Sequence, residues 1–309
     1  MKRRMPMNSS WGPILIILSG ILWGFSAFTK KYLLLYVDPL FLNVINSAFV
    51  CISLVSVWFR PSELWNSFRE APYLLIAMAF FGNSIGTSML YIAIDHLSLS
   101  VASVVGKLQP VFVIICAYVF LKERLTRTEI LLSVVSILGA FLVAVPEPMK
   151  IFETAHMTII GLLAALASAL GWAFSGVIGR RLTIMDASPS AAQMTFFRYF
   201  IGSSLLIPLV DFSSYSSTVA QWPYRTPFLP TVFILTFVTV TVPTWAFYKG
   251  LKHVSASYAS VLELSSPITA VLLGMIFLSE RLNESQLIGV ALVVLPILVL
   301  ENLRMRHST

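Results

Sequence analysis

Charges are so sparse along this chain that long stretches carry none, and the lengths of those stretches restrict the fold more than any motif does. Charge-free runs cover 5–29, 39–59, 71–94, 130–146, 157–179, 226–248 and 285–300. Three further runs, 97–121, 187–210 and 254–279, each hold one charge: Lys107, Arg198 and Glu263. A helix crosses the bilayer core in about 20 apolar residues, so ten spans are predicted. Tilt and snorkelling flanks accommodate the two short runs. A membrane barrel would need alternating segments of about ten residues, and these runs do not alternate. Of the 309 residues, 57% are hydrophobic and 11% charged, against about a quarter charged in soluble domains. A soluble enzyme and a disordered chain are thereby excluded. Cys51 and Cys116 both lie in apolar runs, so no disulfide framework is expected. The expectation is an all-α polytopic protein, passing several times through the cell membrane.

Lys and Arg set the orientation, because cytoplasmic loops collect them. With the N-terminus inside, the inner segments hold Lys2, Arg3, Arg4, Arg60, Arg69, Lys122, Arg124, Arg127, Arg180, Arg181, Lys249, Lys252, Arg304 and Arg306. The outer loops hold only Lys30, Lys31, Lys150, Arg225 and Arg281. Both termini are therefore predicted to be cytoplasmic. The net charge of +7 is read as a topology signal and not as a nucleic-acid footprint.

The chain also matches itself. At an offset of 157, Tyr91 falls on Tyr248, His96 on His253, Ser100 on Ser257 and Pro110 on Pro267, while Glu123-Arg124-Leu125 falls on Glu280-Arg281-Leu282. At an offset of 149, Ser19, Trp23, Phe25-Ser26 and Lys31 meet Ser168, Trp172, Phe174-Ser175 and Arg180. Two five-helix repeats follow, 11–146 and 157–303. Five is odd, so the second repeat enters the membrane inverted. Inverted repeats are common in secondary transporters, with the substrate site between the halves.

The Leu121–Leu125 and Leu278–Leu282 helix ends, with the Trp-Gly-Phe-Ser and Trp-Ala-Phe-Ser openings at Trp23 and Trp172, resemble the EamA branch of the drug/metabolite transporter superfamily. The resemblance implies ten helices, cytoplasmic termini, a central cavity and transport of metabolites without ATP. It specifies the fold far more closely than the substrate.

No Walker A, HExxH, Gly-X-Ser-X-Gly or Cys/His metal pattern occurs, so neither an enzyme nor a cofactor is expected. A charge at mid-bilayer is costly without a partner or water, which makes Lys107, Arg198 and Glu263 the leading site candidates. Each breaks the repeat: Lys107 faces Leu264, Glu263 faces Gly106, and Arg198 falls near Asn46. The competing reading is structural ion pairing between helices. Pro110 and Pro267 are expected to free backbone carbonyls near mid-helix. The stripes Ser19-Trp23-Ser26 and Ser168-Trp172-Ser175, with Asn83, Thr87 and Tyr91 opposite Thr244, Trp245 and Tyr248, can box an apolar or cationic group. Tight helix packing and, for Tyr91 and Tyr248, an interfacial aromatic belt are the alternatives. Tyr224 and Trp222 are expected at the interface. The candidate binding set is Trp23, Ser26, Asn46, Asn83, Tyr91, Lys107, Trp172, Ser175, Arg198, Trp245, Tyr248 and Glu263.

These residues point to a secondary-active, alternating-access transporter of small polar metabolites, foremost amino acids or related zwitterionic or anionic compounds. The alternatives are a carrier of organic cations such as quaternary amines and a lipid-carrier flippase. Expected partners are the metabolite, the lipid bilayer and a coupling ion, with H+ acting through Glu263 as one option. No nucleic-acid partner is expected, and the chain is expected as a monomer or homodimer.

Overall fold

The structure, a computed structural model, describes residues 11–58, 61–97, 105–106, 108–123, 125–144, 159–213, 218, 220, 222–223, 226–278 and 283–308. Among these, every regular element is helical. In chain order they are α1 (Trp11–Leu33), α2 (Pro39–Trp58), α3 (Pro61–Glu70), α4 (Pro72–His96), α5 (Gln109–Leu121), α6 (Arg127–Ala144), α7 (Ile159–Thr183) and α8 (Ala191–Ser204). After them come α9 (Phe228–Leu251), α10 (Ala256–Leu262), α11 (Ser265–Leu278) and α12 (Glu284–Ser308). By length and composition α4, α7 and α9 can each cross a membrane.

Helix starts are fixed by caps, which answer the N–H groups that a first turn leaves without partners. Asp38 Oδ1 accepts from Leu40 and Phe41 N–H at 2.9 and 3.0 Å, and Ser190 with Gln193 forms a capping box on α8. Thr126 and Glu129 do the same for α6. Asn283 and Gln286 repeat that box on α12, 157 residues further along.

Packing joins the two ends of the chain throughout. α1 lies against α9 and α11, α7 lies against α4 and α5, α2 meets α8, and α6 meets α12. Lipid gives apolar helices no reason to associate, so small residues that admit a neighbour's backbone set the contacts. α6 and α12 cross at Gly139 and Gly289, where an added Cβ would lie 2.8 and 2.7 Å from the other glycine's carbonyl oxygen.

The bundle buries many polar side chains within its core and turns large apolar ones outward. Ser19, Asn43, Asn46, Ser47, Asn83, Ser168 and Thr244 are all buried, while Tyr118, Phe120, Leu163, Ile234 and Leu298 stand more than half exposed. That arrangement suits a lipid surround, where interior polar groups find protein partners or a cavity.

Four local features depart from the sequence expectations. The segment after α2 holds a short amphipathic helix, α3, whose Leu64 and Phe68 pack on the core. The ninth run is broken at Glu263-Leu264 into α10 and α11. Pro267 therefore stands in the first turn of α11, and Pro110 is the second residue of α5, positions where proline costs no hydrogen bond. Lys30 and Arg180, counted with the loops, both lie in helices because α1 and α7 run on to Leu33 and Thr183.

Two glycines on α7 separate packing from open space. A Cβ on Gly171 would meet Phe81 O at 2.7 Å and Gly86 N at 3.0 Å, backbone atoms that cannot swing aside, whereas one on Gly176 meets nothing within 4 Å. Gly171→Ala is expected to lower stability by about 1–3 kcal/mol, the usual cost of overpacking, and Gly176→Ala to be near neutral. Melting of the two variants in one detergent compares them directly.

Candidate functional site

α4 sets the geometry of the site. Between Phe80 and Thr87 it widens into a π-helical segment, a distortion that often accompanies functional positions. α7 runs antiparallel along it and bonds its carbonyls in a ladder. Ser168 Oγ donates to Gly86 O at 2.7 Å, Trp172 Nε1 to Gly82 O at 3.2 Å, and Ser175 Oγ to Met78 O at 2.9 Å. Gly82 O also accepts from Thr87 Oγ1 and Arg198 Nη2, each at 3.2 Å. The Ser168-Trp172-Ser175 stripe thus binds two helices together. Among the described residues its counterpart on α1 makes no such ladder: Ser19 Oγ donates to Ile16 O in its own helix at 2.7 Å, and the buried Ser26 hydroxyl finds no partner.

A cavity of about 250 Å³ opens beside this ladder. α1 contributes Trp23, Ser26 and Lys30, α2 contributes Asn43 and Asn46, and α4 adds Tyr91. From α7, α8 and α9 come Trp172, Arg198, Tyr199 and Phe247. Gln109, Ser260 and Glu263 line it where α5, α10 and the α10–α11 break converge. Both ends of the chain therefore build one chamber, apolar and aromatic in most of its wall, with a few polar groups, as small-molecule sites generally are.

Of the candidates, Trp23, Ser26, Asn46, Tyr91, Trp172, Arg198 and Glu263 line this cavity. Trp23 rests on Phe247 with ring centroids 5.4 Å apart. Asn46 accepts from Thr236 Oγ1 at 2.7 Å. Glu263 accepts from Gln109 Nε2 at 3.4 Å. Asn83, Ser175, Trp245 and Tyr248 lie outside the lining. Asn83 Nδ2 donates to Ser47 Oγ at 3.2 Å, part of an α2–α4 polar zipper that Asn43 continues to Ser88 at 3.0 Å. Trp245 carries Lys249 over its ring at 4.6 Å. Tyr248 accepts from Arg198 Nη1 at 3.2 Å. Tyr91 and Tyr248 are each 1% exposed, so both are interior and not members of an interfacial belt. Trp222 donates to Thr226 O at 2.9 Å and packs edge-on against Tyr36 and Phe228. Lys107, Ser100 and Ser103 of its span, Arg124, Tyr224 and the Glu280-Arg281 pair lie outside the described residues.

Lys30, Gln109, Asn43 and Tyr199 were not singled out from sequence. Helical spacing could have found Lys30, since Trp23, Ser26 and Lys30 stand at i, i+3 and i+7 on one face. Counting it as a loop charge concealed it.

A second polar cluster closes one end of the bundle. Lys122 adopts the left-handed conformation, φ 55° and ψ 27°, and ends α5. Glu123 then reaches across to α10, accepting from Ala256 and Ser257 N–H at 3.2 and 3.3 Å. Its Oε1 lies 3.8 Å from Arg180 Nε, and Arg180 Nη1 donates to Leu251 O and Lys252 O at 2.6 and 2.9 Å. Desolvation, then the charges of Lys252, Arg180 and Lys249, hold the neighbouring His253 imidazole below its ordinary pKa.

Known proteins agree with this architecture. A crystal structure of another protein superposes with a TM-score of 0.76 at 18% identity, covering 98% of this chain and 100% of that one, which shows a shared fold. The riboflavin transporter ImpX of Fusobacterium nucleatum is 24% identical over 96% of this chain and 99% of its own. An uncharacterized transporter of Archaeoglobus fulgidus is 24% identical over 93% and 97%, and the uncharacterized transporter YvbV of Bacillus subtilis is 23% identical over 90% and 87%. These names indicate a transporter rather than an enzyme, and a membrane protein. The EamA-like transporter family profile matches residues 10–145 and 159–301, and the chain belongs to that family.

Proposed function

We propose that this chain is a secondary-active transporter of the cell membrane, carrying small polar metabolites through the cavity by alternating access. Amino acids or related zwitterionic or anionic compounds are the substrates that its chemistry suits best. The observation that carries this reading is the cavity itself, a chamber walled by both ends of the chain on which Lys30, Arg198 and Glu263 converge. A zwitterion places its carboxylate toward the cations and its ammonium toward Glu263.

The proposed architecture is ten spans in two inverted repeats, 11–146 and 157–303, with both termini cytoplasmic. The fourteen-to-five Lys/Arg bias supports the orientation. The packing supports the repeat: exchanging the halves turns the α1–α9 and α1–α11 contacts into α7–α4 and α7–α5, and maps α2–α8 and α6–α12 onto themselves.

The ImpX name and the Trp23, Phe247 and Trp172 ring faces favour a planar aromatic substrate as a second reading. An organic cation held by those faces and Glu263 is a third. Purified protein in liposomes, offered labelled amino acids, quaternary amines, nucleosides and riboflavin, should accumulate or exchange an amino acid above protein-free vesicles. Uptake of riboflavin or an amine instead would replace the substrate class, and no uptake of any compound by folded protein would contradict the transport reading.

Alternating access also requires contacts between the halves to break in each cycle. The Glu123–Ser257 contact bridges the two halves at the end carrying Arg180. In a Cys51→Ser, Cys116→Ser background, joining Glu123→Cys to Ser257→Cys with a bifunctional thiol reagent should stop transport. A reducible linker should restore it once cleaved. Full transport in the cross-linked protein would exclude movement at this end.

A further inference from the structure

We propose that Lys30 and Arg198 form a carboxylate-binding subsite, Lys30 making the contact and Arg198 supplying a fixed positive field, for an organic acid whose apolar body lies against Trp23 and Phe247. The proposal rests on reading the cavity as the transport site.

The two cations face the same cavity but are held differently. Arg198 is pinned, with Nη1 on the Tyr248 hydroxyl and Nη2 on Gly82 O, both at 3.2 Å. Its guanidinium cannot leave without abandoning a carbonyl at the centre of the α4–α7 ladder. Lys30 has neither a hydrogen bond nor an ion pair among the described residues, and its ammonium stands over the Tyr91 ring, 5.1 Å from the centroid. An ammonium carries three donors, and a cation kept from bulk water is costly until an anion or water answers it. The two cations also lie within electrostatic reach of each other, and Glu263 of the same cavity acts favourably on Arg198. No described carboxylate lies within ion-pairing distance of either.

A second, independent observation marks the same wall. Ser26 precedes Lys30 by one helical turn and lines the same cavity. It is 3% exposed, and its hydroxyl has no partner among the described residues. The Lys30 ammonium and, one turn before it on the same helix, the Ser26 hydroxyl supply donors for the two oxygens of a carboxylate, in charge-assisted bonds about twice as strong as neutral ones.

The repeat argues against a scaffold role for Lys30. The offset that places Lys31 on Arg180 places Lys30 on Gly179. There the ring of Tyr248, the counterpart of Tyr91, packs so closely that a Cβ on Gly179 would lie 2.9 Å from it. One half therefore seats its tyrosine with no lysine at all, and the lysine of the other half answers a need that occurs once.

The test uses the whole chain with probes that exchange a carboxylate for an amide: indole-3-acetate against indole-3-acetamide, and benzoate against benzamide. Binding is read by thermal shift in detergent and transport by uptake into liposomes. The acids should bind at least about tenfold more tightly than the amides, the ratio that a charged hydrogen bond supports. Lys30→Met should melt like the parent and abolish the preference, and Lys30→Arg should restore it. Equal binding of acid and amide, binding of neither, or a preference that survives in Lys30→Met would each overturn the proposal. Acid binding that depends on Lys30 without any uptake would retain the subsite and refute transport. Uptake of a neutral or cationic compound indifferent to Lys30→Met would do the reverse.

Discussion

Hydrocarbon accepts no hydrogen bonds, so each polar atom that this chain carries into a membrane has to be answered by another atom of the chain or by water in a cavity. Most are answered cheaply. Ser47, Ser53, Ser133 and Thr195 turn back onto the carbonyl four residues earlier in their own helices. Others join helices: the α7 ladder uses carbonyls along α4, and the Asn43–Ser88 and Asn83–Ser47 bonds tie α2 to α4. Of the polar groups left over, those that line the cavity bear on function. Lys30 and Ser26 line one chamber, and among the described residues the lysine has no ion pair or hydrogen bond and the serine hydroxyl no hydrogen bond.

The same accounting separates residues that sequence alone puts in one class. Ser26 and Ser175 occupy matching places in the two halves and were read together as cavity residues. One hydroxyl is buried without a partner, while the other bonds Met78 O at 2.9 Å. Arg198 was read as a substrate contact because it breaks the repeat. Its guanidinium is tied to Gly82 and Tyr248, so it contributes to the scaffold as well as to the charge of the cavity wall. Broken symmetry remains informative, and its sharpest instance is the replacement of Lys30 by Gly179.

The helices were legible because apolar run length is a strong signal and loops concentrate the charges. The self-match of the sequence was legible because Tyr, His, Pro and a Glu-Arg pair recur at one offset. α3 was hidden because Leu64, Trp65 and Phe68 stand among charges, on a helix that packs only one face. The break at Glu263-Leu264 was hidden because a proline in the first turn of a second helix reads the same in sequence as a proline that kinks a continuous one. Lys30 was hidden by a topological habit, the assignment of every terminal Lys to a loop. The carbonyl ladder could not have been found at all, since its acceptors are backbone atoms and leave no mark in the residue pattern.

The central claim is that the chamber lined by Ser26 and Lys30 is open to water and to substrate. Cysteine accessibility on α1 and α2 tests it most directly. In a Cys51→Ser, Cys116→Ser background, Ser26→Cys and Ser47→Cys are each exposed to a charged, membrane-impermeant thiol reagent on both faces of the membrane. Position 26 should react and transport should fall with the extent of reaction. Position 47, whose hydroxyl bonds Asn43 O at 2.8 Å away from the cavity wall, should stay unmodified. Failure to label position 26, or equal labelling of both positions, would contradict the account.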